Sequence, residues 1–303
     1  MPLHDDLRAR FGGDLHINEP VAKHTSARIG GPADFLVVAR TTDALRDAAS
    51  LAWHHDAPLH VLGGGSNVLI SDGGIRGVTL INKADSLTLT GESLVTAGSG
   101  LSSIKLARWC AARGLAGFEW AIGVPGTLGG AVVGNAGAHG GDMSDSVLSV
   151  KAAVPGDTRT VQWANAELAF AYRSSAIKRE GWPCAILEVQ LRFTPGDTAA
   201  IKERMATFTA HRKRTQPPGA TIGSMFKNPP GDYAGRLIEA AGLKGARRGG
   251  AVISQKHANF FLNEAGATAA DVMALAHLAQ HRVSEAFGVR LELEIEPVGD
   301  WSL

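Results

Sequence analysis

Only two cysteines, Cys110 and Cys184, occur in the 303 residues, far apart and outside any metal-ligand spacing. A disulfide framework and a cysteine metal site are therefore not expected, and a reducing compartment is. Excess charge of one sign is also missing: 30 Lys and Arg stand against 29 Asp and Glu, a formal net charge of +1. Nothing in that balance calls for a nucleic-acid partner. The densest basic stretch, HRKR at 211–214, runs into Pro217-Pro218, where a helix must stop, and reads as a solvated helix end. No run approaches the roughly 20 apolar residues needed to span a bilayer, so membrane insertion is not expected. The opening MPLHDDLRARFGGD has no apolar signal core, and a cytoplasmic protein is the expectation. His54, His55 and His60 read as surface residues, and no metal is expected. The dinucleotide fingerprint G-x-G-x-x-G is absent from any strand-to-helix context, which argues against a Rossmann domain.

Glycine, by contrast, is plentiful, with 37 residues. The segment from Gly117 to Gly141, GFEWAIGVPGTLGGAVVGNAGAHGG, is too rich in it for an ordinary helix or strand. Backbone this bare suits close approach to an extended ligand. A second such loop, GGGSN at 63–67, lies between two apolar runs. Consecutive N–H groups in a turn of that kind can cradle a pyrophosphate, although a plain glycine turn is the competing reading. Two nests without a phosphate-loop lysine suggest a large nucleotide cofactor held mainly by main chain.

Short apolar runs punctuated by Gly, Asp and Asn predict strands at 35–39, 59–62, 68–70, 78–81, 87–89, 94–97 and 186–193. Helices are predicted from near Thr42 to His55 and from Ser102-Ser103 to Gly114. After Pro195 the texture changes. Asp197 is placed to cap a helix ending before Pro217, Asp232 a short one closed by Gly242, and Thr268 with Asp271 forms a capping box for a third, ending at Gly288. Strands near 252–253, 259–262 and 291–295 complete the second part. The class is α+β, with an N-terminal region over 1–196 and a second domain over 197–303.

Seven segments then occur in a telling order: HTSARIGGPADFLV, LGGGSNVLISDGGIRG, GFEWAIGVPGTLGGAVVGNAG, FAYRSS, RTQP, GSMFKNPPG and LIEAAGLKG. Together, from about His24 to Gly299, they resemble the UDP-N-acetylenolpyruvoylglucosamine reductases. The resemblance implies an FAD-binding domain of the vanillyl-alcohol-oxidase type, itself made of two subdomains that change over at about 55–80. A substrate-binding α+β domain with a C-terminal catalytic strand follows. It implies non-covalent FAD, NADPH as hydride donor, a UDP-sugar substrate and a monomer. The reaction implied is reduction of the enolpyruvyl ether to UDP-N-acetylmuramate, in peptidoglycan precursor synthesis. Gly63, Gly64, Gly65, Ser66 and Asn67 would hold the pyrophosphate. Gly123, Pro125, Gly126, Thr127, Gly130, Asn135 and Gly137 would run beside the cofactor.

Hydride addition to a double bond conjugated with a carboxylate builds negative charge on the α-carbon and its carboxyl oxygens, which needs a cation and then an acid. By resemblance the cation is Arg173, whose planar fork suits a carboxylate, and the proton donor is Ser224. Glu294 matches the C-terminal catalytic glutamate, with Glu292 and Glu296 flanking it at period two. On one strand all three would face the same side, and a carboxyl beside the substrate carboxylate is expected to titrate high. Tyr172, Lys227 and Asn228 are matched to substrate binding, while Lys256 and His257 are matched without a role. The chain departs from the common pattern at Gly134, where a methionine is usual, at His139, where a tyrosine is usual, and in LELEI. The short connection from Arg192 to Gly223 places it in the subclass without a tyrosine-bearing insertion. An alcohol oxidase of the same flavin fold and a catalytically silent nucleotide-binding module are the competing readings. GSMFKNPPG speaks against the first, and Arg173 with Ser224 and the acidic triplet against the second.

Overall fold

A parallel ladder between Val68–Ile70 and Glu296–Val298 ties residues from the first quarter of the sequence to its end. The computed structural model describes residues 2–156 and 159–301, and within it the chain forms two compact units, neither of them a single stretch. One comprises Met1–Ile17, Phe35–Gly64 and Gly77–Arg212; the other comprises Asn18–Asp34, Gly65–Arg76 and Lys213–Leu303. No single cut near 196 separates them. The first unit runs on to Arg212, and two early segments pack with the C-terminal one.

The first unit is α+β. Its central sheet has the order Thr160–Ala164, Val147–Ala153, Ala185–Arg192, Leu94–Gly98, Leu87–Thr90, antiparallel throughout. Alternate residues of the middle strands, among them Val150, Val189, Leu191 and Val95, are buried against Leu106, Phe118, Trp120 and Leu128. A second sheet orders Leu15–Pro20, Pro32–Ala39, Ile75–Asn82 and Leu59–Leu62. Over it lies the helix Thr42–His54, capped by Thr41, whose hydroxyl accepts from Ala44 N at 3.1 Å. Leu45, Ala48, Ala49 and Ala52 are its fully buried face, the i, i+3, i+4, i+7 stripe of an amphipathic helix. The helix from Ser103 ends at Ala111, three residues before Gly114.

In the second unit a sheet orders Ala220–Ser224, Phe260–Asn263, Ala251–Ile253 and Arg247–Arg248, all antiparallel. The helix Ala269–Phe287 packs Val272, Leu275, Ala276, Ala279 and Val283 into the same core as Phe226 and Phe261. Thr268 and Asp271 form the expected capping box, and Gly288 closes the helix at φ 68°. Asp72 adds a second cap, its two carboxylate oxygens accepting from Ala269 N at 2.8 Å and Ala270 N at 2.9 Å. The loop bearing Asp72 leaves no room at Gly31, where a Cβ would lie 2.2 Å from Asp72 O. These contacts give Gly65–Arg76 its place in the second unit.

Two expectations are corrected. Residues 291–295 are not a strand: Leu293 makes a single bridge to Phe226, and the ladder starts at Glu296. The helix Ala234–Ala240 is capped not by Asp232 but by the side-chain oxygen of Asn228, which accepts from Ala234 N at 3.1 Å; Asp232 pairs instead with Arg236. Replacing Asp72 by Ala removes a carboxylate from two first-turn donors of a 19-residue helix. The expected cost is about 1–2 kcal/mol, read as a lower urea midpoint, with Asp72→Asn intermediate.

Candidate functional site

In the first unit the two glycine loops touch. A Cβ on Gly63 would sit 2.0 Å from Thr127 Oγ1, and one on Gly64 would sit 3.0 Å from Gly126 Cα. Side chains are excluded there by packing of loop on loop, and the exposed main chain of Gly64 borders that contact. Thr127 precedes the short helix Leu128–Val133 and bridges to Ser102. The next two N–H groups are taken by Leu101 O at 2.9 Å and Ser99 O at 2.8 Å. Pro125 and Gly130 are exposed, and a Cβ on Gly130 would meet nothing within 4 Å. Gly123 is glycine for a different reason: its φ is +81°, and a Cβ would lie 2.9 Å from Arg212 Cδ.

Asn135, 3% exposed with φ 41°, is an organiser. Its amide nitrogen donates to Ala171 O at 3.1 Å and to Asp142 Oδ2 at 3.2 Å, and its Oδ1 accepts from Ser144 N at 3.1 Å. Ala171 in turn opens a tight two-residue turn closed by Ala171 N to Ser174 O at 2.9 Å and Ser174 N to Ala171 O at 3.0 Å. Arg173 sits in that turn in the left-handed region, φ 55°, and its Nη2 donates to Gly137 O at 2.8 Å. Its guanidinium lies 5.1 Å from the centre of the exposed Tyr172 ring. Ser175 closes the turn by donating to Val133 O at 2.7 Å. Glycine loop and arginine turn are thus one bonded assembly.

In the second unit Gly65 is buried at φ +58°, with a would-be Cβ 2.2 Å from His24 O. Its carbonyl accepts from Ser26 N at 3.0 Å, and the Ser26 hydroxyl lies 2.7 Å from Thr221 O. Ser66 follows, its carbonyl 3.9 Å from the position a Cβ on Gly223 would take. Asn67 donates from its side chain to Glu294 O at 3.2 Å, and Glu296 N donates to Asn67 O at 2.9 Å. Ser224 ends its strand opposite Phe260. Its neighbour Met225 accepts from Glu294 N at 2.9 Å. Ser224, Glu294 and Asn67 therefore stand on adjacent bonded segments.

The acidic triplet is divided by its surroundings. Glu292, with a side chain 71% exposed, pairs with Lys227 Nζ at 3.4 Å. Glu296 opens the strand beside Val68, and Glu294 joins Met225 to Asn67. Asn228 spends its oxygen on the helix cap. Sequence reading missed Asn259, whose buried side chain donates to Phe226 O at 2.8 Å and accepts from Phe226 N at 2.9 Å. It fixes the residues next to Ser224, and its signal was an amide among apolar residues in SQKHANFF. Of the two residues left without a role, Lys256 donates to Lys213 O at 2.6 Å, and the half-buried His257 accepts from Asn259 N at 3.3 Å. Burial pushes the Cys110 thiol up to about 12 and that of Cys184 to about 11, so neither is a nucleophile at neutral pH. Among the described residues there is no group of three or more His, Cys, Asp or Glu that could hold a metal. Among the described residues no helix is long and apolar enough to cross a membrane.

Comparison with known proteins adds a family. Residues 33–162 match the FAD binding domain family, and residues 215–298 match the UDP-N-acetylenolpyruvoylglucosamine reductase C-terminal domain. UDP-N-acetylenolpyruvoylglucosamine reductase 2 of Symbiobacterium thermophilum is 44% identical over 97% of this chain and 96% of its own. The Bacillus subtilis reductase is 41% identical over 97% of each. The crystal structure of the Thermus caldophilus reductase superposes with a TM-score of 0.79 at 34% identity, covering 94% of this chain and 98% of that one.

Glu119 anchors the long glycine-rich segment. Its carboxylate, 9% exposed, accepts from Gly117 N at 2.8 Å and from Arg204 Nε at 3.2 Å. Burial alone would raise this carboxyl, but the hydrogen bonds from Arg204 and from the main-chain N–H groups of Glu119 and Gly117 outweigh it and hold it below the usual 4.5. Stabilisation from a lowered carboxyl is present above the unfolded value and lost as pH falls through the folded one. Glu119→Gln is expected to cost about 1–2 kcal/mol at pH 7. The difference from the parent should shrink in urea melts taken progressively below pH 4.5.

Proposed function

This chain belongs to the UDP-N-acetylenolpyruvoylglucosamine reductase family, and we propose that it reduces UDP-N-acetyl-3-O-(1-carboxyvinyl)-glucosamine to UDP-N-acetylmuramate with NADPH. The step belongs to peptidoglycan precursor synthesis, serving cell-wall growth and division, and the enzyme acts as a cytoplasmic monomer. The chain is an FAD-dependent oxidoreductase. In functional terms residues 1–196 serve the cofactor and 197–303 the substrate, with the early segments 18–34 and 65–76 lending their contacts to the latter.

The residues fit FAD. Gly63, Gly64 and Gly65 each stand where a Cβ would collide or nearly collide with its surroundings, which leaves main chain as the only surface to offer. Gly64 through Asn67 would take the pyrophosphate, with Gly126 and Thr127 across from Gly64. Pro125, Gly130 and Gly137 would border the rest of the cofactor. Gly123 and Asn135 serve it indirectly, the first by admitting Arg212 and the second by tethering the arginine turn. When bound, FAD supplies the carriage of a hydride from the nicotinamide to the terminal vinyl carbon.

What the chain itself contributes is charge and a proton. Arg173 pairs its fork with the substrate carboxylate and carries the enolate-like charge that develops there. Ser224 Oγ donates the proton to the α-carbon, and Glu294, a bonded neighbour of Met225, supports the serine through that transfer. Lys227 exchanges the exposed Glu292 carboxylate, 3.4 Å away, for the substrate diphosphate, a swap helped by the ready return of that carboxylate to water. Asn228 retains its amide N–H groups for the same ligand, and Tyr172 lends its exposed ring. The observation that supports this reading most is that main-chain bonds of Glu294 join Met225, the residue after Ser224, to Asn67 at the end of the glycine nest.

Purified protein is expected to be yellow, to bleach with NADPH in the absence of oxygen, and to regain its oxidised spectrum with the enolpyruvyl substrate. Flavin-free protein that cannot be reconstituted would overturn the proposal. Ser224→Ala is expected to leave bleaching by NADPH within about threefold of the parent while slowing reoxidation by substrate at least about a hundredfold in stopped flow. Equal loss in both half-reactions would remove the proton-donor role.

A further inference from the structure

The helix Thr198–Thr215 presents three residues at spacings of four to the glycine-rich segment 119–139. Arg204 pairs with Glu119, Phe208 stacks flat on His139 with centroids 4.2 Å apart and planes 6° apart, and Arg212 lies along Gly123. His211 meets the His139 ring edge-on at 5.5 Å. The two arginines differ in one respect. Arg204 is satisfied by a carboxylate, whereas Arg212, half-buried, has no hydrogen-bond acceptor or acid partner among the described residues.

A guanidinium that has lost part of its water and gained no anion is costly, and natural sites keep one for a ligand. The neighbourhood compounds that cost. Burial holds His139 below its usual value, and the charges that act on it, those of His211 and Arg212, are both positive. Burial likewise lowers Arg212. Positive potential therefore gathers at one place on a chain whose charges otherwise nearly cancel. Gly123 beside it carries no side chain to fill the space, and three residues on, Gly126 borders the Gly64 main chain.

We propose that Arg212, flanked by His139 and His211, is an anion subsite that takes a phosphate group of a nucleotide ligand. The planar fork gives two parallel donors to phosphate oxygens, and neutral or protonated imidazoles beside it each add an N–H. Position 123, at φ +81°, favours glycine for its backbone, and the missing side chain lets Arg212 lie close. The phosphate has three possible sources: FAD, the 2′-phosphate of the reduced nicotinamide dinucleotide, and the diphosphate of the UDP-sugar. The choice among them rests on the reductase reading; the subsite itself does not.

Calorimetry on the holoenzyme with 2′,5′-ADP and with UDP, and the flavin-to-protein ratio with fluorescence titration of the flavin-stripped protein, distinguish the three. Arg212→Gln is expected to weaken one of these ligands by about tenfold or more while the other two stay within twofold. Arg212→Lys should restore part of the lost affinity, because charge returns without the fork. His139→Phe preserves the stack on Phe208 and should weaken the same ligand by about two- to fivefold. Unchanged binding of all three ligands to Arg212→Gln overturns the proposal, as does equal loss of all three in both Arg212 variants together with a lowered Tm, which would make Arg212 a packing residue. Either result leaves flavin bleaching and reoxidation to judge the reductase reading separately.

Discussion

Main chain pressed against main chain at bare α-carbons is the constraint on which this protein is built. At Gly31, Gly65 and Gly74 a Cβ would lie 2.2, 2.2 and 1.9 Å from the carbonyl oxygens of Asp72, His24 and Pro32. At Gly63 it would strike the Thr127 hydroxyl. The three carbonyl contacts cannot be relieved by rotating a side chain, so Gly31, Gly65 and Gly74 admit glycine alone. The close approaches draw loops from distant parts of the sequence into register, and polar side chains then fasten them: Ser26 to Thr221, Asp72 to the Ala269–Phe287 helix, Asn135 to Ala171. Tight loop packing leaves main chain, not side chains, as the surface these loops offer.

Around that scaffold Arg173 and Ser224 are set by short-range bonding. Arg173 occupies a left-handed turn that nothing in its own side chain favours, and the strain is held by the paired bonds of Ala171 with Ser174 and by Asn135 behind them. Ser224 ends a strand as a half-buried residue, while the following Met225 and Phe226 are buried and locked by Asn259. In both cases a polar residue of modest exposure is held in place through neighbours bonded to a more deeply buried amide.

Much of this was legible in the sequence. The helix Thr42–His54 announced itself by the apolar spacing of Leu45, Ala48, Ala49 and Ala52, and the helix Ala269–Phe287 by its capping box and terminal glycine. Both signals are local, so they survive without knowledge of the fold. The strands Val147–Ala153 and Thr160–Ala164 were not foreseen, because their pattern is short and mixed and their stability comes from central and edge places in a five-stranded sheet. Residues 291–295 alternate like a strand yet pair at a single point, the adjoining segment having found its ladder with Val68–Ile70 instead. The motifs around Gly123 and Asn135 do not announce their tertiary neighbours, Arg212 beside the first and the Ala171 turn beside the second, because both come from distant sequence.

The border between the compact units falls between Gly64 and Gly65 and is crossed repeatedly, at 17/18, 34/35, 64/65, 76/77 and 212/213. Five crossings mean that the two bodies are interwoven along the gene and are not joined end to end. A fragment starting after residue 196 would be born without the Val68–Ile70 strand and the aspartate that steadies its longest helix. The complementary N-terminal piece would carry those segments with nothing to pack on. Each compact unit is therefore completed only by the whole chain, and neither corresponds to a single cut of the gene.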